Sequence, residues 1–132
     1  KGEGGVVSVF MERMLAGKEL VVFGDGNQTR DFIYVEDLAD AVCMSAGTEH
    51  GGVFNLSTNT QNSVNSLIDI LRILHPVKDV CYASPREGDI LHSRLDNAKA
   101  VSLLGWKPKS SFKDGIESTF KWYSGHAAGS RR

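Results

Sequence analysis

The chain has 132 residues, of which 41% are hydrophobic and 23% are charged, as is typical of a single globular domain. Its formal net charge of −1 argues against a nucleic-acid-binding surface, because phosphate contacts need a basic face. No apolar run approaches the ~20 residues of a membrane span, and the histidines lack metal-ligand spacing. We therefore expect a cytoplasmic protein with no nucleic acid, membrane or metal partner, and with Cys43 and Cys81 as buried small hydrophobic side chains.

The first half of the chain predicts two helices and three short strands. Apolar residues at helical spacing predict a helix over 6–15, and the run ELVVF predicts a strand over 19–23. A glycine-rich loop follows, and after it a second short strand is expected over 32–35. A helix is then predicted from Glu36, because carboxylates in a first turn face the positive end of the helix dipole. The run GGVFNLS predicts a third strand over 51–57.

The second half predicts three more helices and one more strand. Ser63 is the predicted N-cap of the most strongly patterned helix, SVNSLIDILRIL, and DVCYA predicts a strand over 79–83. Asp96 is expected to cap a short helix that ends at Gly105, and Ser111 to cap the last one. Helices interleaved with short strands predict an α/β fold with some α+β character and a small mixed sheet.

The loop GDGNQTRDF opens with a G-x-G after a predicted strand, which is a feature of dinucleotide-binding loops. Such a loop needs a third Gly or Ala and then a helix, whose N-terminus holds the pyrophosphate. Thr29 stands at the third position, and β-forming residues follow it. We therefore predict that this loop joins two strands and does not bind a dinucleotide.

Two polar loops beside predicted strands each combine an arginine with a carboxylate: Arg30 with Asp31, and Arg86 with Asp89. A guanidinium group is suited to bidentate recognition of phosphate or carboxylate. The alternative is that each arginine is a solvated charge or half of a surface ion pair. Catalytic motifs do not accompany these loops, since the sequence contains no Y-x-x-x-K, G-x-S-x-G, H-E-x-x-H or P-loop.

Two motifs, G-D-G-x-Q-x-R-D-F-x-Y-V-x-D and R-x-G-D, stand within GEGGVVSVFMERMLAGKELVVFGDGNQTRDFIYVEDLADAV and SPREGDILHSRLDNAKAVSLLGWKP. Over residues 2–123 the chain resembles the C-terminal half of the extended short-chain dehydrogenase/reductase family. Within it, the chain is similar to the NAD-dependent nucleotide-sugar epimerases and dehydratases, above all the UDP-glucose 4-epimerases. The resemblance implies a C-terminal substrate-binding domain of an extended Rossmann-type enzyme over 1–124 and a flexible tail over 125–132. The N-terminal Rossmann domain that binds NAD and carries the catalytic Tyr/Lys pair is expected upstream of Lys1, outside this chain.

The function implied by the resemblance is the nucleotide-sugar-binding part of an NAD-dependent UDP-sugar 4-epimerase, for example in the interconversion of UDP-glucose and UDP-galactose. We expect this part alone to be inactive. The alternatives are a 4,6-dehydratase, a UDP-glucuronate decarboxylase, a non-catalytic nucleotide-sugar-binding module, or a structural α/β piece without a ligand. Without its Rossmann partner the chain should expose an apolar patch, so homo-oligomer formation or marginal stability is expected.

The resemblance also implies which residues contact the nucleotide sugar. Arg30 and Arg86 correspond to arginines that contact the pyrophosphate, and Asp89 corresponds to a carboxylate that accepts hydrogen bonds from the ribose hydroxyls. Val21 and Phe23 match a strand that lines the base pocket. No catalytic and no cofactor-binding residue is assigned within this chain.

Two further positions complete the expected substrate site. Phe32 falls beside the diphosphate, where some members of the family have a tyrosine, so a hydrogen bond from a ring hydroxyl is not expected here. Thr60, in the run STNTQN, matches a loop position near the nucleotide.

Overall fold

The computed structural model describes residues 5–129, and the side chains of residues 5–126. Within this range the chain forms five helices and four short strands, which confirms the predicted α/β class. The elements are α1 Val6–Leu15, β1 Leu20–Phe23, β2 Thr29–Arg30, α2 Val35–Ser45, β3 Asn62–Ser63, α3 Val64–Leu74, β4 Val80–Ala83, α4 Ala98–Leu104 and α5 Phe112–Gly129. None of the helices in the described residues is long and apolar enough to cross a membrane.

The strands form two separate two-stranded sheets, one parallel and one antiparallel. Strand β1 pairs in parallel with β4, in a register that runs from Leu20 opposite Val80 to Phe23 opposite Ala83. Strand β2 pairs antiparallel with β3, with Thr29 opposite Ser63. Because β3 leads directly into α3, the β2–β3 pair fixes the glycine-rich loop against the start of that helix.

The main hydrophobic core lies where α1, α3 and α5 pack around β1. Apolar side chains at helical spacing on α1 and α3 point inward, as the sequence predicts. The buried members are Phe10, Met11, Met14, Leu20, Val22, Val64, Leu67, Ile68, Leu71 and Ile116. This core holds α1 and β1 in a fixed orientation, which in turn positions the residues on their opposite faces.

A second, smaller core joins α2 to α4. Ala41, Ala100 and Trp106 are buried together in it. The indole Nε1 of Trp106 donates to the backbone oxygen of Asp37 at 2.9 Å, and the buried carboxylate of Asp37 accepts from the backbone N–H of Ser110 at 2.9 Å. The segment between α4 and α5 is therefore tied to the first turn of α2.

Helix ends follow the predicted capping signals at Ser63, Ser111 and Gly105, but not at Asp96. The N-cap of α4 is Asn97, while Asp96 Oδ1 accepts from the backbone N–H of Ala98 at 2.8 Å. The side chain of Ser63 accepts from the backbone N–H of Ser66 at 3.0 Å, and the hydroxyl of Ser111 accepts from the N–H of Asp114 at 3.1 Å. Gly105 adopts φ 64° directly after α4, the left-handed conformation that favours glycine at a helix end. Local side-chain chemistry is therefore enough to set these boundaries.

Two of the predicted strands differ in the structure. The strand expected over 32–35 lies earlier, at Thr29–Arg30, because β3 pairs with only these two residues and the parallel bridge to His92 also falls at Thr29. The segment 51–57 pairs with no strand among the described residues. Its polar groups bond to side chains instead: Lys99 Nζ donates to the oxygen of Val53 at 2.9 Å, and Asn97 Nδ2 to that of Ser57 at 2.7 Å.

The prediction that the cysteines are buried is wrong, since both are exposed. Cys43 lies two residues after the buried Ala41 on α2, which places it on the outward face of that helix. Cys81 is on the exposed side of β4, where its thiol donates to Glu19 Oε2 at 3.3 Å. This hydrogen bond to a carboxylate raises the pKa of the Cys81 thiol, because it favours the protonated form.

The last helix continues to Gly129, five residues into the segment 125–132 that was expected to be a flexible tail. Residues 130–132 of that segment lie outside the described residues.

Gly26 gives a test of how the glycine-rich loop is held. Its φ is 79°, and a Cβ placed there would lie 2.1 Å from Asn65 Oδ1, whose side chain donates to the oxygen of Asp25 and accepts from the hydroxyl of Tyr82. Gly26→Ala must therefore displace Asn65 and break these bonds, and we expect a loss of about 1–3 kcal/mol in the free energy of unfolding. Urea denaturation of the chain would measure it.

The matched control is Gly88→Ala, because Gly88 has the same φ of 79° but no atom within 4 Å of the added Cβ. It isolates the cost of the backbone conformation. Equal losses for the two variants would contradict a role for Asn65 in holding the loop.

Candidate functional site

A cavity of about 680 Å³ opens between α1, the end of β1 and the two loops that follow β1 and β4. Six of the seven residues that the resemblance assigns to substrate contact line it: Val21, Phe23, Arg30, Phe32, Arg86 and Asp89. We call this cavity the arginine pocket. The structure thus brings together positions that are far apart in the sequence.

Strand β1 supplies an apolar wall of the arginine pocket. Its side chains alternate, so that Leu20 and Val22 are buried in the main core while Val21 and Phe23 are only partly buried. Because neighbouring residues of a strand point to opposite faces, the core side of β1 fixes the orientation of the pocket side.

Arg30 connects β2 to the loop after β4. Its Nη2 donates to Asp89 Oδ1 at 2.8 Å, and its Nη1 donates to the backbone oxygens of Thr29 at 2.8 Å and Ile90 at 2.6 Å. The side chains of Arg30 and Asp89 remain 31% and 36% exposed, so both are accessible from the arginine pocket. Since a guanidinium has five N–H groups, these described contacts leave two donors of Arg30 for a ligand.

The backbone on either side of Arg30 explains why Asp89 is close to it. The N–H of Thr29 donates to the oxygen of Leu91 at 2.8 Å, and the N–H of Ser93 donates to the oxygen of Thr29 at 3.2 Å. The hydroxyl of Thr29 also lies 3.0 Å from His92 Nδ1. The segment after Asp89 therefore runs alongside β2, held by backbone hydrogen bonds as well as by side chains.

Arg86 lies against the aromatic ring of Phe23. Its guanidinium carbon is 3.9 Å from the ring centroid, a geometry in which the cation is attracted to the face of the ring. Both residues line the arginine pocket. A cationic group is thus held beside the apolar wall that β1 supplies.

The other carboxylate of the sequence motif, Asp31, has a different place. It accepts from the backbone N–H of Thr58 at 2.8 Å and from its hydroxyl at 2.6 Å, and it lies 3.4 Å from the N–H of Leu95. The sequence combined Arg30 with Asp31, but the structure pairs Arg30 with Asp89. Thr60 is not among the residues that line the pocket, and its hydroxyl lies 2.6 Å from that of Thr58. A nucleotide contact by Thr60 stays a prediction.

Phe32 forms a wall between the arginine pocket and a smaller cavity of about 280 Å³. Its ring stacks on Phe112 of α5, with centroids 5.0 Å apart and planes 19° apart. The stacking fixes the orientation of a side chain that has no hydroxyl to donate or accept a hydrogen bond.

Sequence reasoning missed the pocket residues of α1 and of the glycine-rich loop. Val6, Val9 and Arg13 of α1 line the arginine pocket, and so does Gln28, whose Nε2 donates to the oxygen of Phe23 at 2.8 Å. The α1 residues recur at helical spacing on one face, a signal that could have identified them.

Among the described residues, the charged side chains that line the arginine pocket are mostly cationic. Three arginines and one carboxylate line it, namely Arg13, Arg30, Arg86 and Asp89. A concave site with this excess of cations attracts anions. The described residues contain no group of three or more His, Cys, Asp or Glu side chains that could hold a metal ion.

Comparisons with known proteins show which proteins the chain is similar to. Residues 1–57 match the model of the NAD dependent epimerase/dehydratase family. The chain is 42% identical over 125 residues to a putative UDP-glucose 4-epimerase of Methanocaldococcus jannaschii, covering 92% of this chain and 40% of that protein. It is 34% identical over 115 residues to UDP-glucuronic acid decarboxylase 2 of Arabidopsis thaliana, covering 86% of this chain and 26% of that protein.

A solved structure gives the same result at the level of the fold. The crystal structure of the UDP-glucose 4-epimerase of Thermotoga maritima with UDP-glucose matches with a TM-score of 0.89 and 38% identity, over 96% of this chain and 41% of that one. The fold and site define an α/β chain with a cavity that several arginines line. The chain belongs to the NAD-dependent epimerase/dehydratase family of extended short-chain dehydrogenases/reductases. It spans about 40% of the length of the epimerases it matches.

The different surroundings of Asp31 and Asp89 give a prediction about stability. Asp31→Ala removes the acceptor of two short hydrogen bonds from Thr58, and we expect it to lower the free energy of unfolding by about 1–3 kcal/mol. Asp89→Ala breaks a half-exposed ion pair and should cost less than about 1 kcal/mol. Urea denaturation of the two variants measures the difference, and a larger loss for Asp89→Ala would show that the assignment of these two carboxylates is wrong.

Proposed function

We propose that the arginine pocket binds the nucleoside diphosphate part of a UDP-sugar or a related nucleotide sugar. The observation that carries this proposal is the convergence of Arg30 and Arg86 in one cavity with Asp89 and an apolar wall. Two guanidinium groups from different loops can neutralise the two charges of a diphosphate through charge-assisted hydrogen bonds. The matched Thermotoga maritima structure, which contains UDP-glucose, supports the same ligand class.

The other parts of a nucleoside diphosphate also find suitable groups in the pocket. Val21 and Phe23 offer an apolar surface for the pyrimidine base. Asp89 Oδ2 makes none of the described hydrogen bonds, since Oδ1 is the atom that accepts from Arg30. This oxygen can accept a hydrogen bond from a ribose hydroxyl, which is a neutral donor and is not repelled by the carboxylate.

The whole enzyme is proposed to be an NAD-dependent UDP-sugar 4-epimerase, such as one that interconverts UDP-glucose and UDP-galactose. In this arrangement residues 1–124 form the C-terminal substrate-binding domain, and α5 extends beyond them to Gly129. Tight binding of the remote nucleotide would position the sugar for reaction, so the residues of this chain contribute binding energy and orientation. The chain is also 34% identical to a UDP-glucuronic acid decarboxylase, so decarboxylation is the second candidate activity.

NAD does not fit the described residues of this chain. The G-x-G loop leads into β2 and not into a helix whose N-terminus could hold a pyrophosphate. We therefore propose that an N-terminal Rossmann domain, expected from the family resemblance, binds NAD and carries the catalytic groups. We assign no chemical step to residues 5–129. Homo-oligomer formation, a cytoplasmic location and a role in galactose metabolism stay predictions.

Binding of UDP tests the proposed function. Arg30→Ala and Arg86→Ala should each weaken UDP binding by roughly tenfold to a hundredfold, because each removes charge-assisted hydrogen bonds to the diphosphate. Isothermal titration calorimetry with this chain measures the dissociation constants. Arg94→Ala is the matched control, since Arg94 is exposed in the same segment and does not line the pocket. Unchanged affinity in both pocket variants would refute the assignment.

Turnover tests whether the chemistry lies outside this chain. The purified chain with NAD and UDP-galactose should produce no UDP-glucose, because the described residues offer no dinucleotide-binding loop. Chromatography of the nucleotide sugars after prolonged incubation would detect conversion, with a full-length UDP-glucose 4-epimerase as the positive control. Measurable epimerisation by the chain itself would contradict this division of roles.

A further inference from the structure

The carboxylate of Asp89 holds a position on Arg30 that a phosphate oxygen would also use. Arg30 Nη2 and Asp89 Oδ1 are 2.8 Å apart, and both side chains line the arginine pocket. Both are only about one third exposed, so water screens their attraction less than it would on an open surface. An anion that approaches Arg30 therefore meets a guanidinium that already has an anionic partner.

Arg30 does not need Asp89 to stay in place. Its Nη1 donates to two backbone oxygens, those of Thr29 and Ile90, at 2.8 and 2.6 Å. These bonds fix the plane of the guanidinium group. Loss of the Asp89 charge would consequently free an Nη2 donor and leave the group where it is.

We propose that Asp89 is a specificity-determining residue that makes the arginine pocket select nucleoside diphosphates over bare phosphate and pyrophosphate. This inference rests on the proposed function, because it concerns the same pocket. In the ligand-free chain the carboxylate of Asp89 accepts a hydrogen bond from Arg30 that a phosphate oxygen could otherwise accept. A bare pyrophosphate that approaches Arg30 is repelled by that carboxylate and cannot use the Nη2 hydrogen that the carboxylate already accepts. A nucleoside diphosphate compensates for the competition, because its ribose hydroxyls donate hydrogen bonds to the carboxylate.

Selection of this kind can combine an attractive and a repulsive element. Specificity is a difference between two binding free energies, and an unfavourable contact with the wrong ligand contributes to it as much as a favourable contact with the right one. Asp89 supplies both, since one charged group repels phosphate oxygens and accepts hydrogen bonds from a diol. Among the described residues that line the pocket there are three arginines and one carboxylate, so small polyanions are attracted to it, and the charge of Asp89 opposes that attraction.

The test compares inorganic pyrophosphate with UDP on the chain and on Asp89→Asn, which removes the charge but keeps the shape. Pyrophosphate should bind Asp89→Asn roughly threefold to tenfold more tightly than the unaltered chain, as expected for release of a half-exposed ion pair. The affinity for UDP should not increase to the same extent. The dissociation constant of pyrophosphate divided by that of UDP should therefore fall at least threefold in Asp89→Asn. Calorimetry or competition against UDP gives both constants.

Glu87→Gln is the matched control, because Glu87 is exposed two residues before Asp89 and does not line the pocket. It removes the same formal charge from the same loop and should leave the pyrophosphate-to-UDP ratio unchanged. A similar effect of both substitutions would overturn the inference, since general electrostatics would then explain the gain.

A ligand without the diol tests the second half of the inference. The 2′,3′-dideoxy analogue of UDP should bind the unaltered chain less tightly than UDP does. The ratio of the two dissociation constants, analogue over UDP, should be roughly fivefold smaller in Asp89→Asn, where the carboxylate is absent. An equal difference in both proteins would overturn the inference.

The failures of the two proposals are distinguishable. Absence of UDP binding by the unaltered chain would refute the proposed function itself. Normal UDP binding with unchanged or weaker pyrophosphate binding in Asp89→Asn would refute only the specificity role. Thermal unfolding of each variant shows that the compared proteins are folded.

Discussion

Arg30 reaches from β2 to the loop after β4, where its guanidinium meets the carboxylate of Asp89 and the backbone oxygen of Ile90. This contact joins the segment after β1 to the segment after β4, next to the backbone hydrogen bonds that hold residues 91–93 along β2. Arg86, three residues before Asp89, lies over the ring of Phe23. The arginine pocket therefore has a cationic surface and an apolar surface side by side.

The rigid parts of the molecule hold this contact in place. The main core fixes α1 and β1, and the hydrogen bonds of Asn65 fix the glycine-rich loop beside α3. Asp25 is part of that loop, and the N–H and side-chain amide of Asn27 lower the pKa of its carboxyl group. The loop is thereby held by its own polar residues as well as by α3. Polar contacts of loop residues, placed by buried helices, are a common basis for binding sites.

Much of the fold could be predicted from local patterns. The helix at Val64–Leu74 has a complete apolar stripe and a serine cap, and the structure has the same bounds. The segment 51–57 is bounded by a Gly pair and a polar loop, as a strand often is, but it pairs with no strand among the described residues. A strand needs a partner at hydrogen-bonding distance, and the position of a partner is not a local property. The exposure of Cys43 and Cys81 was missed for a similar reason, because burial depends on which element packs on which face.

The sequence by itself determined the helix ends, strand β1 and the residue types of the site, because capping, alternation and motif spacing are properties of neighbouring residues. It also showed that the G-x-G loop lacks the third glycine and the helix of a dinucleotide site. Only the tertiary structure decided which carboxylate faces Arg30. The sequence placed Asp31 next to it, but the bonded partner is Asp89, 59 residues away. Backbone hydrogen bonds between β2 and the segment 91–93 make that choice, and such long-range pairing follows from packing of the whole chain.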